Sequence, residues 1–339
     1  VYLLSIIIPF HNSEIKCKRL LATLSNLDDP SIEVVLVDDG SSDGTLNLLN
    51  DFQDRSNIHV QVLSQENKGP GAARNAGLHI STGKYVWFVD SDDDIHLEAI
   101  NFLKSVEAED FDFIDFNHDS PHGVVNSMDL LPGIYDDQAM LRTMLLKKFG
   151  RICTKVINRK IIIENRIYYP EYCIYEDNPL AFIYPFHIRR FLKSNIVAYV
   201  HYEEFASVTR SNPSPRYFDR MYTAAFGLVA GLGLTSEQTD KDHLYEKFIN
   251  LYLINTAGRF MGKLPTSDWI IATRIMRRYR EVAKQMGIKR APLSRSNRSR
   301  KYKMLFTFLW FWSYFLGDQE SYFKKIRHLA WGRDFNAAT

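Results

Sequence analysis

Four mainly apolar runs, at positions 3–8, 32–37, 58–63 and 85–89, are separated by segments long enough for a helix. The last, β-branched and aromatic without alternation, suits a central strand covered on both faces. After the first run, Pro9-Phe10-His11 leads to Asn12-Ser13, a cap for a helix whose Leu20, Leu21, Leu24 and Leu27 recur at helical spacing. The second run is followed by a turn at 38–45 and a helix carrying Leu46, Leu49 and Phe52. The third leads through a glycine loop into an alanine-rich helix, and the fourth into a helix starting near His96. Strands and helices in this order predict an α/β fold with a mostly parallel, Rossmann-like sheet, right-handed crossovers and helices on both faces. Further strands are expected at 111–117 and 195–202, with a less regular excursion at 118–135. From Tyr217 the strand signals stop, and Leu244, Phe248, Leu251 and Tyr252, then Ile271, Ile275, Tyr279, Val282 and Met286, follow helical spacing. The chain therefore divides into an α/β domain over 1–215 and a C-terminal helical domain over 216–339.

The polar residues between the apolar runs gather on one edge. An open parallel sheet binds ligands outside the carboxyl ends of its strands, and Pro9 to Asn12, Asp38-Asp39, Asn67 to Arg74 and Asp90 to Asp93 all fall there. The densest charge follows the fourth run, where Asp90, Asp92, Asp93 and Asp94 lie within five residues. Carboxylates this close repel one another, and a cation or hydrogen-bond donors must compensate them. The fitting cation is divalent and oxygen-loving. An EF-hand calcium loop starting at Asp90 fails, because Ile95 stands at its sixth position in place of Gly and Asn101 at its twelfth in place of Glu. A solvated acidic turn capping the next helix is the plainer alternative. Gly69-x-Gly71-x-x-Arg74 is similar to a dinucleotide fingerprint, but Arg74 replaces the third glycine and the loop follows the third strand, not the first. A phosphate-binding P-loop is absent from the sequence.

Composition changes the picture in two respects. With 45% hydrophobic and 24% charged residues the chain is that of a folded protein, but its net charge of +2 hides a polarity. Residues 1–140 hold 24 acidic and 8 basic side chains, and residues 141–339 hold 16 and 34. The two halves have different electrostatic roles. Cys17, Cys153 and Cys173 are far apart, with no Cys-x-x-Cys pair, so neither a disulfide framework nor a cysteine zinc site is expected and a reducing cytoplasm is the natural location. The apolar stretch 2–10 has no basic lead-in and is stopped by Pro9, which fits a first strand better than a signal peptide.

Four segments taken together resemble a known family. Ser5-Ile-Ile-Ile-Pro-Phe-His-Asn12, Val34-Val-Leu-Val-Asp-Asp-Gly-Ser-Ser-Asp-Gly-Thr45, Asn67-Lys-Gly-Pro-Gly-Ala-Ala-Arg-Asn75 and Val86-Trp-Phe-Val-Asp-Ser-Asp-Asp93 look like the successive signatures of family 2 glycosyltransferases with the GT-A fold. The resemblance implies an enzyme that moves a sugar from a nucleotide donor, usually UDP-linked, to an acceptor hydroxyl with inversion at the anomeric carbon. It implies that Pro9, Phe10, Asn12, Asp38 or Asp39, Asn67, Gly69 and Arg74 hold the nucleotide sugar, and that Asp90-Ser91-Asp92 is the Asp-x-Asp motif. Asp92 is then the metal ligand, with Asp90 near the ribose and the metal, and Mn²⁺ or Mg²⁺ the cofactor. A diphosphate leaving group needs its developing charge neutralised, which such an ion on carboxylate and phosphate oxygens does. Residues 153–158 are similar to the family's strand carrying a lysine, here Lys155, and Glu176-Asp177 to its acceptor-side base; acidic residues before Pro179 are also ordinary helix-start residues. Residues 204–211 resemble the loop over the diphosphate, with Ser207, Thr209, Arg210 and Ser211 suited to phosphate oxygens. His201 is either a metal ligand or a structural histidine.

Between Glu281 and Asp318 there is no acidic residue, while eight basic ones accumulate from Lys284 to Lys303 ahead of the aromatic block 304–316. As a helix that block is only about 20 Å long, short of a bilayer core of roughly 30 Å. It suits an anionic membrane surface, with core packing and a homo-oligomer interface as alternatives, and no nucleic-acid partner is expected. The reading is thus an inverting transferase of cell-surface polysaccharide biosynthesis, cytoplasmic and peripheral on the membrane, acting on a glycan or lipid-linked glycan. A nucleotidyltransferase shares the sheet and acidic site but usually has a basic glycine-rich loop after the first strand, which Pro9-Phe10-His11-Asn12 is not. An inactive sugar-nucleotide-binding or scaffold protein would keep the fold and lose the base, against which Asp177 argues.

Overall fold

The computed structural model describes residues 2–202, 219–248 and Met304. Its strands are β1 (Leu4–Phe10), β2 (Ile32–Asp39), β3 (His59–Gln65), β4 (Tyr85–Phe88), β5 (Asp94–Ile95), β6 (Phe113–Ser120), β7 (Gly123–Val125), β8 (Gly133–Tyr135), β9 (Lys155–Asn158) and β10 (Phe191–Val200). Its helices are α1 (Lys18–Leu24), α2 (Thr45–Arg55), α3 (Pro70–Ile80), α4 (Glu98–Ser105), α5 (Gln138–Lys147), α6 (Arg159–Glu164), α7 (Leu180–Ile183), α8 (Asp219–Gly233) and α9 (Gln238–Lys247). Contacts divide the chain into two units, one of Val1–Tyr172 and Tyr184–Phe205, the other of Cys173–Ile183 and Ala206–Thr339.

In the first unit the strand order is β3-β2-β1-β4-β9-β6-β10-β5, with β7 on β6 and β8 on β10. The first four strands pair in parallel, as the repeating strand–helix pattern predicts. β6 and β10 also pair in parallel, and the remaining pairs are the antiparallel part of the mostly parallel sheet expected. β9 runs antiparallel to both β4 and β6, and β5 and β8 antiparallel to β10. A buried charge pair fits this insertion, because the β6–β9 register sets Asp115 opposite Lys155. Both are fully buried, Lys155 Nζ donates to Asp115 Oδ1 at 2.8 Å, and Lys193 Nζ of β10 lies 3.0 Å from Asp115 Oδ2. One carboxylate thus joins three adjacent strands.

Alternation along the strands sorts the two faces. Leu4, Ile6, Ile8 and Phe10 join Val34 and Leu36 in one buried layer with Leu20, Leu21 and Leu24 of α1, Leu49 of α2 and Ile100 and Leu103 of α4. On the other face α3 lies so close that a Cβ on Gly77 would stand 2.5 Å from Ile7 Cγ2, so only glycine permits this approach. α3 begins at Gly69-Pro70, where the glycine takes φ 91° and proline fills the first helical position, where no backbone N–H is needed. α1 starts later than expected. Asn12 takes φ 48° and its Oδ1 accepts from Ser42, so it anchors a loop and does not cap the helix.

In the second unit α7, α8 and α9 pack together. A Cβ on Gly227 would meet Pro179 Cα at 2.6 Å, and one on Gly231 the Phe182 carbonyl oxygen at 2.9 Å, so glycines four apart let α8 lie against α7. Lys247 Nζ of α9 donates to the Ala181 carbonyl at 2.7 Å, and burial pulls its pKa down to about 7.

Asp115→Ala leaves two buried ammonium groups without their carboxylate. Breaking such a buried group costs about 3–5 kcal/mol, so denaturant unfolding of the variant should show a loss of that size, and an unchanged midpoint would contradict the role given to Asp115.

Candidate functional site

The β1–β4 register puts Ile7 opposite Phe88, and Val89 N–H still donates to the Ile7 carbonyl. In a parallel ladder every second residue of β1 donates toward β4, and the next in turn is residue 9. Pro9 has no N–H, so the ladder toward β4 stops there, while pairing with β2 runs on to Phe10 and Asp38. β1 is also the point where strand order reverses. β2 and β3 lie on one side and β4 on the other, so its carboxyl end is the crevice where an open α/β sheet takes a ligand.

The loops leaving β1 and β4 are tied across this crevice. Ser13 Oγ and Ser91 Oγ are 3.1 Å apart, and Ser13 N–H donates to Thr45 Oγ1 at 2.8 Å. Arg74, buried on α3, donates from Nη2 to Asp90 Oδ1 at 2.6 Å and has its guanidinium 5.4 Å from the Tyr169 ring centroid. His11 Nδ1 bonds the Asp39 carbonyl at 2.9 Å, and Asn67 Nδ2 lies 3.1 Å from His11 Nε2. The structure thereby brings Pro9, Asn12, Asn67, Gly69, Arg74, Asp90, Ser91 and Asp92 to one edge of the first unit.

Three assignments change. The Phe10 ring is buried in the core, because strand alternation points it there, so it contributes only backbone to the edge. Asp38 and Asp39 are 1% and 3% exposed. Asp39 Oδ1 accepts from Gln65 Nε2 and Lys68 N–H and Oδ2 from Gly69 N–H, all within 2.9 Å, while Asp38 accepts from Ser64 Oγ. The Asp39 carboxylate holds the loop that starts α3, and the Asp38 carboxylate ties the end of β2 to β3 and to Ser41.

Asp92 differs from its neighbours. Asp90 has Arg74, and Asp93 is held by β10, whereas burial first, and then the charges of Asp90 and Asp93, push the Asp92 carboxyl up to about 6. His201 Nδ1 lies 3.1 Å from Asp93 Oδ1, so that nitrogen is committed to Asp93. Among the described residues no group of three His, Cys, Asp or Glu is arranged to hold a metal by itself. Ser207 and Arg210, with Thr209 and Ser211, lie outside the described residues.

Glu176 and Asp177 belong to the second unit. Glu176 is buried and Asp177 exposed. α7 is a single turn that starts at Leu180, whose N–H bonds the Asp177 carbonyl at 3.1 Å, so neither acid lies inside the helix. Asn178 Nδ2 donates to Thr223 Oγ1 at 3.1 Å and Ile174 N–H to Asp219 Oδ2 at 3.1 Å, which fixes this segment on α8. Two residues with site roles have no sequence signature: Ser13, whose hydroxyl meets Ser91, and Tyr199, a buried tyrosine whose hydroxyl needs a partner.

Known proteins share both the sequence of this edge and the fold. Residues 5–167 match the model of glycosyl transferase family 2. The chain is 28% identical over 289 residues to the poly(ribitol-phosphate) beta-N-acetylglucosaminyltransferase TarS of Staphylococcus aureus strain MW2, covering 79% of the chain and 48% of that protein. It is 33% identical over 107 residues to the uncharacterized glycosyltransferase YibD of Escherichia coli K12, 32% of the chain and 31% of that protein. The chain thus spans about half the length of the TarS proteins it matches. The crystal structure of S. aureus TarS 1–349 in complex with UDP-GlcNAc superposes with a TM-score of 0.66 at 24% identity, over 82% of this chain and 81% of that one. The likeness shows a mixed α/β glycosyltransferase fold related to that of TarS.

Asp92 gives a pH prediction. Its folded-state pKa of about 6 lies above the ordinary 3.8, so the native state holds this proton more tightly than the unfolded chain. Stability is therefore lost as pH rises from 3.8 toward 6 and stays lost above it. The difference corresponds to about 3 kcal/mol. Asp92→Asn should stabilise the metal-free protein by up to that amount at pH 8 and by little at pH 4; equal effects in melts at both values would contradict the environment described.

Proposed function

We propose that the protein is an inverting GT-A glycosyltransferase that moves a sugar from a UDP-sugar to a hydroxyl of a cell-surface polysaccharide. The observation that carries this reading is the convergence of four loops at the β1–β4 crevice, within a stretch that matches the model of glycosyl transferase family 2. The TarS structure with UDP-GlcNAc supports UDP as the nucleotide and N-acetylglucosamine as the first sugar to test.

Mn²⁺ or Mg²⁺ is the proposed cofactor. The donor set fits: Mg²⁺ in phosphate-transferring sites is commonly held by one or two carboxylates together with substrate phosphates, which needs no three-residue protein cage. Asp92 is the ligand we assign, with Asp90 beside it, and its raised pKa is that of a carboxylate that is buried and set among like charges. When bound, the ion supplies charge neutralisation at the departing diphosphate. Arg74 restrains Asp90, and the Ser13–Ser91 contact keeps the two loops at a fixed separation.

Asp177 is the proposed general base that takes the acceptor hydroxyl's proton as the oxygen attacks the anomeric carbon. Its exposure, against the burial of Glu176, supports it over its neighbour. We keep the boundary near 215 as a proposed division between catalytic and helical domains. We also propose that the basic and aromatic residues 284–316, outside the described residues except Met304, lie on an anionic membrane from the cytoplasmic side, with a homo-oligomer as the competing use. Among the described residues no helix is long and apolar enough to cross a membrane.

Turnover of UDP-sugars with a polysaccharide acceptor tests the reading, with the product anomer read by NMR. Asp177→Asn should lower kcat by roughly 10²–10⁴-fold with donor affinity nearly unchanged. If Glu176→Gln loses turnover and Asp177→Asn keeps it, the base is Glu176; if both keep it, the base is elsewhere.

A further inference from the structure

Asp93 and Tyr199 are assigned no ligand above, yet together they hold the Asp90–Asp93 turn. The Asp93 N–H donates to the Asp90 carbonyl at 3.2 Å, closing a four-residue turn with Ser91 and Asp92 at its centre. The Tyr199 hydroxyl then spans both ends of the same turn. It accepts from the Asp90 N–H at 3.3 Å and donates to Asp93 Oδ2 at 2.6 Å. Asp93 Oδ1 takes the Tyr202 N–H at 3.0 Å and lies 3.1 Å from His201 Nδ1. Asp93 is 3% exposed and Tyr199 fully buried, so neither is placed to meet a ligand. β10 itself is pinned here, because Tyr199 and Val200 pair with Ile95 and Asp94 of β5, and His96 N–H bonds the Ala198 carbonyl at 2.9 Å.

We propose that Tyr199 and Asp93 are positioning residues for the Asp-x-Asp turn, a hydroxyl-bridged clamp that aims the Asp92 carboxylate at the crevice. The inference rests on the donor-site reading and adds to it the part of the chain that sets the ligand's geometry. The chemistry suits the task. A single hydroxyl both accepts the Asp90 N–H and donates to the Asp93 carboxylate, so one rigid ring on β10 ties the two ends together. With its carboxylate charge shared among three donors, Asp93 is the member of the cluster removed from competition for a cation. Asp92 then stands beside Ser91 at the centre of a turn whose two ends are fixed. A site that loses this support keeps its residues but not their aim, and metal affinity falls when an orienting partner of a ligand is removed.

Calorimetric titration of the full chain with UDP, with and without Mn²⁺, tests the clamp. Wild type should bind UDP more tightly with Mn²⁺ than without. Tyr199→Phe, which keeps the ring and removes only the bridging oxygen, should retain metal-free UDP affinity and lose at least about tenfold of the gain that Mn²⁺ provides, a range typical for partners that orient a metal ligand. Far-UV circular dichroism and melting check that the variant is folded. Should it fail to fold, Asp93→Asn measures the same quantity, since its amide offers one acceptor where two are used. A folded Tyr199→Phe or Asp93→Asn with the full wild-type gain overturns the clamp. Wild type that binds no UDP overturns the donor-site reading beneath it, so the two failures are distinct.

Discussion

A missing hydrogen-bond donor at Pro9 underlies the candidate site. β1 is paired on both sides along most of its length, and two fully paired strands leave no room between them. Proline withdraws a donor on the β4 side alone, at the turn of the ladder where the next bond would form. β1 and β4 separate there, while β1 and β2 stay joined through Phe10 and Asp38. The crevice is a consequence of backbone chemistry at a strand-order reversal, and the polar loops occupy what it opens.

Charge is then distributed by the partners each carboxylate finds. Asp38 and Asp39 are consumed by loop backbone and side chains, Asp90 by Arg74, and Asp93 by Tyr199, His201 and the Tyr202 amide. Burial first, and then the like charges of Asp90 and Asp93, push Asp92 up to about 6 against the pull of its own amide and of Lys16. The acidic cluster is therefore not a uniform patch. The carboxylates around Asp92 are held by protein donors, and the same pattern of partners makes the site rigid. A second charged cluster, Lys155 and Lys193 on Asp115, binds the antiparallel β9 to β6 and β10, extending the sheet beyond the crevice.

Much of this was legible in the sequence, for physical reasons that also mark where legibility ends. The four mainly apolar runs announce strands, and β1 to β4 lie where they stand. The edge loops are legible because strand–loop–helix order fixes which end carries them. The direction of β9 is not legible, since a four-residue strand does not show which neighbours it pairs with, and the Asp115–Lys155 register joins residues forty apart. Asn12 reads as a cap by residue type but acts through its side chain on Ser42, a partner thirty residues away. Phe10 belongs to a motif at the edge, yet alternation turns its ring inward. Tyr199 left no motif because one hydroxyl on a buried strand becomes informative only once the Asp90–Asp93 turn is folded against it.

The account's central claim is that Asp92 and a bound nucleoside diphosphate together hold a divalent ion at the β1–β4 crevice. Electron paramagnetic resonance of Mn²⁺ measures this directly, because the six-line signal of the free aqueous ion falls as the ion is bound. With UDP and protein together, the signal should fall below that of either mixture alone, and Asp92→Asn should restore it to the level of Mn²⁺ with UDP. An Asp92→Asn protein that depletes free Mn²⁺ as wild type does, with UDP present, would contradict the claim.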